Sequence, residues 1–331
     1  MSDNNHDSSS PIGNRRDLLK AATGLGVAAA ALGAGPVQAA AHAGKGLSVG
    51  GPMRVKDPLW NRDALARLQG NLDFGKVKHG SYFGVVSGMR EGEIVRPLMG
   101  FEGFSSTRLI DNGDGSYQKL LRETVYYTDL KTGEVLETWD NPYTGEKVRV
   151  VHVANDPFNI VIEQYYPKGP SYGGLRKEEE KRVPMLLPWR MTRPNTVTLA
   201  TDINLYYPSA LQPDKWPRES SGTMVRVSEL FRYVIRREEL EDPALTSVEY
   251  SGSWARITPW LPWMLMGQAP GNIHYMGTMG GYNTLDMISP QVRAYAEKHH
   301  PQYFDAPTKW EEPSLSSLED YARTQKPAPA L

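Results

Sequence analysis

The sequence predicts a mainly β fold: a single antiparallel β-barrel of about ten strands, calycin-like, with a short N-terminal helix and one or two C-terminal helices. Three observations lead there. Runs rich in Val, Ile, Tyr, Phe and Thr recur from residue 81 to residue 280. Turn chemistry separates them, as Asp-Asn-Gly-Asp-Gly at 111–115, Lys-Thr-Gly at 131–133, Asn-Pro-Tyr-Thr-Gly at 141–145 and Asn-Asp-Pro-Phe-Asn at 155–159. That many short strands, spaced so evenly, favour a sheet closed on itself, because closure removes the exposed edges.

In chain order, residues 1–39 read as a twin-arginine signal peptide. Asn14, Arg15, Arg16, Asp17, Leu18, Leu19 and Lys20 match the export pattern, and a mild Ala/Gly run follows to Gly35. Small residues place cleavage after Ala39 or Ala41. The run is short of the roughly 20 strongly apolar residues that span a bilayer, so the expectation is a periplasmic or secreted protein that meets the twin-arginine export machinery and has no stable membrane span. Within this leader, Gly24, Gly26 and Ala29 spell a dinucleotide fingerprint. No strand precedes it and the segment is removed on export, so it carries no weight.

Residues 40–60 form a Gly/Ala/Pro linker, and residues 61–310 the barrel domain. Asn61 can cap a short helix that aligns Leu65, Leu68 and Leu72 and plugs or props the sheet. Strand runs follow at 81–89, 93–101, 116–128, 133–139, 146–154, 159–166, 183–192, 195–206, 222–236, 246–258 and 272–280. The turn at 111–115 faintly echoes a calcium loop, but Arg122 stands where a bidentate Glu is required. A β-turn is the better reading. Residues 172–182 are charged and read as a solvated loop. Ser289 and Pro290 open a helix that stops before Pro301. Residues 311–331 hold a last helix around Leu315, Leu318 and Tyr321 and a Pro/Ala tail expected to be disordered.

Composition excludes several function classes. The formal net charge is -1, with no basic run, which argues against nucleic acid and anionic membrane surfaces as partners. There is no cysteine, hence no disulfide, thiolate zinc site or Cys-ligated iron–sulfur cluster. Metal-ligating spacings such as H-x-H or H-E-x-x-H do not occur, and no G-x-S-x-G elbow marks a serine hydrolase. The sequence therefore calls for no cofactor and no metal.

The chain is organised around residues 254–282, where three tryptophans, four methionines and two tyrosines sit among prolines and glycines, with Arg256 as the only formal charge. Each aromatic carries roughly 150–250 Å² of surface, so at about 25 cal/mol per Å² the stretch must be covered. Protein alone can cover it, as plain core; or a ligand helps, since stiff Trp rings, adaptable Met side chains and one cation also compose a small-molecule pocket. Strand alternation then assigns faces. At 222–236, Val225, Val227, Glu229, Phe231 and Tyr233 share a face opposite Arg226, Arg232 and Arg236. A carboxylate on an apolar face must be paired or protonated: Glu229 either answers an inward arginine or serves as an acid/base group. Arg256, in line with Tyr250 and Trp254, is its natural partner, or else an anchor for a ligand carboxylate or phenolate. His152, sharing a face with Val148 and Val150, points inward as a structural or a proton-transferring histidine. The expected ligand wall comprises Trp189, Arg190, Tyr250, Trp254, Trp260, Trp263, Met264, Met266, His274 and Tyr275, the side taken by His274 being left open by its weak alternation.

The leader, Leu72-Asp73-Phe74-Gly75-Lys76, the run Pro-Leu-Met-Gly-Phe-Glu-Gly at 97–103 and Pro-Trp-Leu-Pro-Trp-Met at 259–264 resemble a bacterial and fungal family catalogued only as domain of unknown function 1838. The likeness covers roughly residues 60–310 and implies no catalytic residues. The functional expectation is accordingly an exported barrel around a small apolar or aromatic molecule. It is either a cofactor-free acid/base enzyme of the isomerase, cyclase or lyase type, in which Glu229 or His152 moves the proton and Arg256 stabilises negative charge, or a non-catalytic binder. A third reading makes the Trp/Met/Pro stretch an interface for an envelope partner.

Overall fold

The computed structural model describes residues 51–154, 159–167, 182–310 and 315–329. The leader, the loop from 172 to 181 and much of the linker lie outside the described residues.

The described chain is mainly β, but the barrel is not closed. Nine antiparallel strands form one strongly curled sheet in the order β6-β3-β2-β1-β11-β10-β9-β8-β7. One meander supplies β1 (Val77–Met89), β2 (Arg96–Asp111) and β3 (Tyr117–Thr128). A second supplies β7 (Trp189–Arg193), β8 (Thr196–Pro208), β9 (Met224–Arg236), β10 (Tyr250–Thr258) and β11 (Asn272–Tyr282). The two join where β1 runs antiparallel to β11, from His79 opposite Tyr282 to Met89 opposite Asn272. The edges are short, β6 (Ile160–Ile162) on one side and β7 on the other. They meet only beyond their ends, where Tyr165 bridges Pro184.

Helix α1 (Pro58–Gln69) accounts for the open form. Asp57 caps it, Pro58 opens it, and nearly all of its side chains from Trp60 to Leu68 are buried. Its Leu65 and Leu68 pack into one core with Ile162 from one edge and Leu199 and Ile235 from the other side of the curl. Asn61 accepts hydrogen bonds from Leu187 N and Trp189 Nε1 through one oxygen. A helix thus covers the gap that further strand pairing would have closed.

Two of the runs expected in the barrel leave it. Those at 133–139 and 146–154 contract to β4 (Thr138–Asp140) and β5 (Lys147–Arg149), a separate hairpin packed under the Trp-rich stretch. Each keeps one isolated bridge to β3, Val135 to Thr128 and Val153 to Val125, while Trp139 and Val148 cover Trp263. The turn at 111–115 joins β2 to β3: Asp111 accepts from Gly113 N and Asp114 from Ser116 N, which is turn chemistry. Outside β2 and β3 lie α3 (Pro290–His299), capped by Ser289, and the short turn Pro301–Phe304, sealing Phe104 and Tyr126. Between β9 and β10 sits a short helix α2 (Arg237–Glu241), and α4 (Ser317–Thr324) closes the chain. Residues 326–329, expected to be disordered, are instead seated: Ala328 N donates to Glu219 and Arg218 to the Pro329 carbonyl.

The tight curl depends on glycine at strand crossings. A Cβ on Gly103 would lie 2.0 Å from the Thr124 carbonyl oxygen and 2.4 Å from the Tyr82 ring. Replacing Gly103 by Ala should therefore push β2 off β3 and cost about 2–3 kcal/mol, read as a lowered urea midpoint; an unchanged midpoint would show that the crossing is loose.

Candidate functional site

Curling leaves a cavity of about 250 Å³ along the concave face. The β9 row Val225, Val227, Glu229, Phe231 and Tyr233 lines it, as do Tyr250, Trp254 and Arg256 from β10 and Tyr275 and Met279 from β11. Strand alternation is the cause: Arg226, Arg232 and Arg236 stand on the other face and are exposed.

Register brings the charged groups together. Arg256 lies opposite Glu229 on one side and Tyr275 on the other. Its Nη1 stands 3.3 Å from Glu229 Oε1, both side chains largely shielded. Burial opposes the guanidinium charge, but the Glu229 carboxylate and the hydroxyls of Tyr275, Tyr207 and Tyr127 more than offset it, so its pKa is raised. The Arg256 Nε, buried, makes no hydrogen bond with any described group. Beside it the hydroxyls of Tyr127 and Tyr275 are 2.8 Å apart. Burial raises both phenols' pKa, with Arg256 opposing. Two protonated hydroxyls sharing one hydrogen bond leave one O–H to donate elsewhere. The corner formed by Arg256, Tyr127 and Tyr275 can therefore hold a negative oxygen by preset donors.

The wall is aromatic. Trp254 sits 5.5 Å from Tyr275 and 5.6 Å from Phe101, and Trp263 is 5.3 Å from Tyr127. Trp260 and Trp263 are buried, with Trp260 Nε1 donating to the Ala269 carbonyl. Asn141 of the β4–β5 turn pins this stretch by donating to Met264 O at 2.7 Å, next to Leu265, the one non-glycine residue with a left-handed backbone among the described residues. Helix α4 covers the mouth: its Leu318 and Tyr321 line the cavity, and Tyr321 packs edge-on against Trp216.

Eight of the expected site residues thus line one cavity: Glu229, His152, Arg256, Tyr250, Trp254, Trp260, Trp263 and Tyr275. The other five do not. His274 takes the outer face beside exposed Met276, because the inner row of β11 is Ile273, Tyr275 and Met279. Arg190 is exposed on an edge strand, and Trp189 is turned into the α1 core by its bond to Asn61. Met264 and Met266 are buried behind the wall, packed with the tryptophans. His152 reaches the cavity with its Nδ1 lone pair occupied by Tyr127 N–H at 3.2 Å. Burial and the neighbouring His300 push its pKa down to about 4. Its ring is therefore neutral near pH 7, with the Nδ1 lone pair engaged by the Tyr127 backbone.

Six acidic, basic or histidine side chains that were not expected also line the cavity: Lys78, His79, Lys119, Glu123, Glu219 and Asp320. The β3 row Lys119, Leu121, Glu123, Val125 and Tyr127 faces inward, while Leu120, Thr124 and Tyr126 are buried under the outer helices. With both faces covered, β3 shows no apolar-polar alternation, so its face could not be read. Burial raises Glu123 to about 7, Glu229 adds to this, and the Tyr82 hydroxyl, Lys119 and Arg256 oppose it. Lys119 donates to Gln69 and is pushed down to about 8 by burial. Lys78, at the β1 start that lies ahead of the expected strand, donates to the carbonyls of Arg67 and Val248 and is lowered to about 7 by burial.

Glu123 makes stability pH-dependent with a definite sign. With a folded pKa near 7 against an ordinary 4.5, the folded chain holds more protons than the unfolded one in that interval. Stability should fall as pH rises from about 4.5 to 7. Urea midpoints of Glu123→Gln should lack that part of the decline, so its advantage over the wild type should grow with pH. Parallel curves would place Glu123 in ordinary solvent.

Among the described residues no cluster of three His, Asp or Glu gathers as a metal site, and no helix is long and apolar enough to cross a membrane. A search of curated proteins gives no match to the chain. The family model DUF1838, described as a protein of unknown function, matches residues 78–325, from the buried Lys78 of β1 through the helix over the cavity mouth. The chain belongs to that family.

Proposed function

We propose that the curled sheet holds a small molecule with a largely aromatic or apolar body and one electronegative oxygen, and performs cofactor-free acid/base chemistry on it of the isomerase, cyclase or lyase type. The observation that carries this reading is the cavity itself, a space of about 250 Å³ reached by Arg256, Glu229, Tyr127 and Tyr275. A solid interior would have left no room for substrate. The tryptophan wall would take the apolar body, and the Arg256 corner would take the oxygen as negative charge develops there. Glu229, tied to Arg256, holds the guanidinium in place, and His152 sets the Tyr127 backbone. The twin-arginine pattern of the leader supports export to the periplasm or beyond.

A non-catalytic binder would use the same wall and anchor. What favours chemistry is the presence of several ionisable groups inside, since binding an apolar body calls for few. The interface reading has the least support: Trp260, Trp263, Met264 and Met266 are buried rather than displayed.

Intrinsic tryptophan fluorescence titrated with 2-naphthol and α-tetralone tests the pocket. Quenching should saturate, and Arg256→Ala should weaken it by about tenfold or more, the loss of one charge-assisted hydrogen bond. Wild-type-like quenching in Arg256→Ala would remove the anchor, and an absence of saturable quenching would remove the pocket.

A further inference from the structure

We infer that Glu123 is the group that takes and returns the proton in this cavity, acting on a carbon next to a carbonyl whose oxygen rests in the corner of Arg256, Tyr127 and Tyr275. The inference rests on the proposed ligand cavity and deepens it by naming the substrate class, an enolisable aromatic or cyclic ketone.

Four carboxylates line the chamber: Glu219 accepts from Ala328 N and Asp320 of α4 pairs with Arg323, and for the two on the sheet, Glu229 and Glu123, the surroundings divide the roles. Glu229 stands directly across from Arg256 and is held in an ion pair at 3.3 Å. Placing a proton on Glu229 or moving it would leave Arg256 uncompensated. Glu123 lies on another wall, on the cavity-facing row of β3, and bonds the Tyr82 hydroxyl. The groups acting on it are Lys119 from the same strand, Tyr82 from β1, Glu229 from β9 and Arg256 from β10, with Tyr233 and Tyr250 also feeling its charge. Burial and the Glu229 charge outweigh the cations, so Glu123 exchanges its proton close to neutral pH, where a general base is most effective. Glu123 lies between Lys119 and Tyr127 on the β3 inner row, so a ligand that spans the trough from the tyrosine corner passes it.

The step balances without a cofactor. The substrate C–H bond breaks as an O–H bond forms on Glu123, and the C–H electron pair moves through the carbonyl to its oxygen, which Arg256 and the tyrosine hydroxyl stabilise. The reverse flow returns a proton from Glu123 to carbon. Return to the original carbon, after the Glu123 carboxyl has traded its proton with water, is exchange with solvent; return two carbons further along an unsaturated ketone is isomerisation.

The test needs no knowledge of the natural substrate. Deuterium uptake at the carbon beside the carbonyl of α-tetralone is followed by NMR in D₂O, with binding read in parallel by fluorescence quenching. The wild type should exchange well above the buffer rate, rising with pH and levelling above about 7. Glu123→Gln should lose about a hundredfold or more with its quenching kept. Glu123→Asp should recover part of the rate, and His274→Gln on the outer face should match the wild type. Circular dichroism confirms folding of each variant, and the Asp variant keeps the test open should the Gln variant fail to fold. Undiminished exchange in Glu123→Gln, or quenching without exchange in the wild type, would overturn the role of Glu123 and leave the pocket standing. Neither quenching nor exchange would overturn both.

Discussion

The pairing of Arg256 with Glu229 is the constraint on which the arrangement of the concave face depends. A guanidinium brought into a chamber walled by Trp254, Trp263 and Tyr275 must meet a carboxylate, or its desolvation goes uncompensated. Direct opposition on β9 and β10 meets that requirement. It also fixes register: a slip of one residue would send Arg256 and Glu229 to the outer face and bring Ile257 and Leu230 inward. Tyr275, opposite Arg256 on β11, is carried along by the same register, and Tyr127 from β3 reaches it across the curl.

That last contact shows what curling accomplishes. β3 and β11 are not neighbours in the sheet, with β2 and β1 standing between them. Only a strongly bent sheet lets their tyrosines meet at hydrogen-bond distance, and the bend is tolerated because Gly84 and Gly103 bring no side chain to the crossings. Helix α1 fills one end and the tryptophan stretch, backed by the β4–β5 hairpin, lines the other. Between them lies the hollow, and α4 rests over it.

The chamber is mixed in character. Its walls suit an apolar body, yet they also carry three glutamates, an aspartate, an arginine, two histidines and two lysines lowered toward neutrality. Lys78 is tied to two carbonyls and packs over Tyr250, so it serves the α1 end of the structure. Glu123, on the cavity-facing row of β3, bonds the Tyr82 hydroxyl and feels Lys119 and Arg256, and it is the group proposed above to move a proton. Buried ionisable groups are costly and persist where they are used or fully paired.

Much of this was legible in the chain itself. Period-two alternation assigned the inner rows of β9 and β10, and the demand that a buried carboxylate be paired or protonated made Arg256 one of two answers for Glu229; the folded chain shows the pair. The density of Trp and Met at 254–282 located the wall. Three things were decided only by tertiary structure. Closure was one, because an edge can be covered by a helix from elsewhere in the chain as well as by another strand. The face of β3 was another: with helices on one side and the cavity on the other, both rows are mixed, and Glu123 carries no local mark. The third was which large side chains touch the hollow and which stand behind it, since Met264 and Trp263 are adjacent and equally apolar. A sequence fixes what each residue needs around it; only the folded sheet decides which neighbour, near or far along the chain, supplies it.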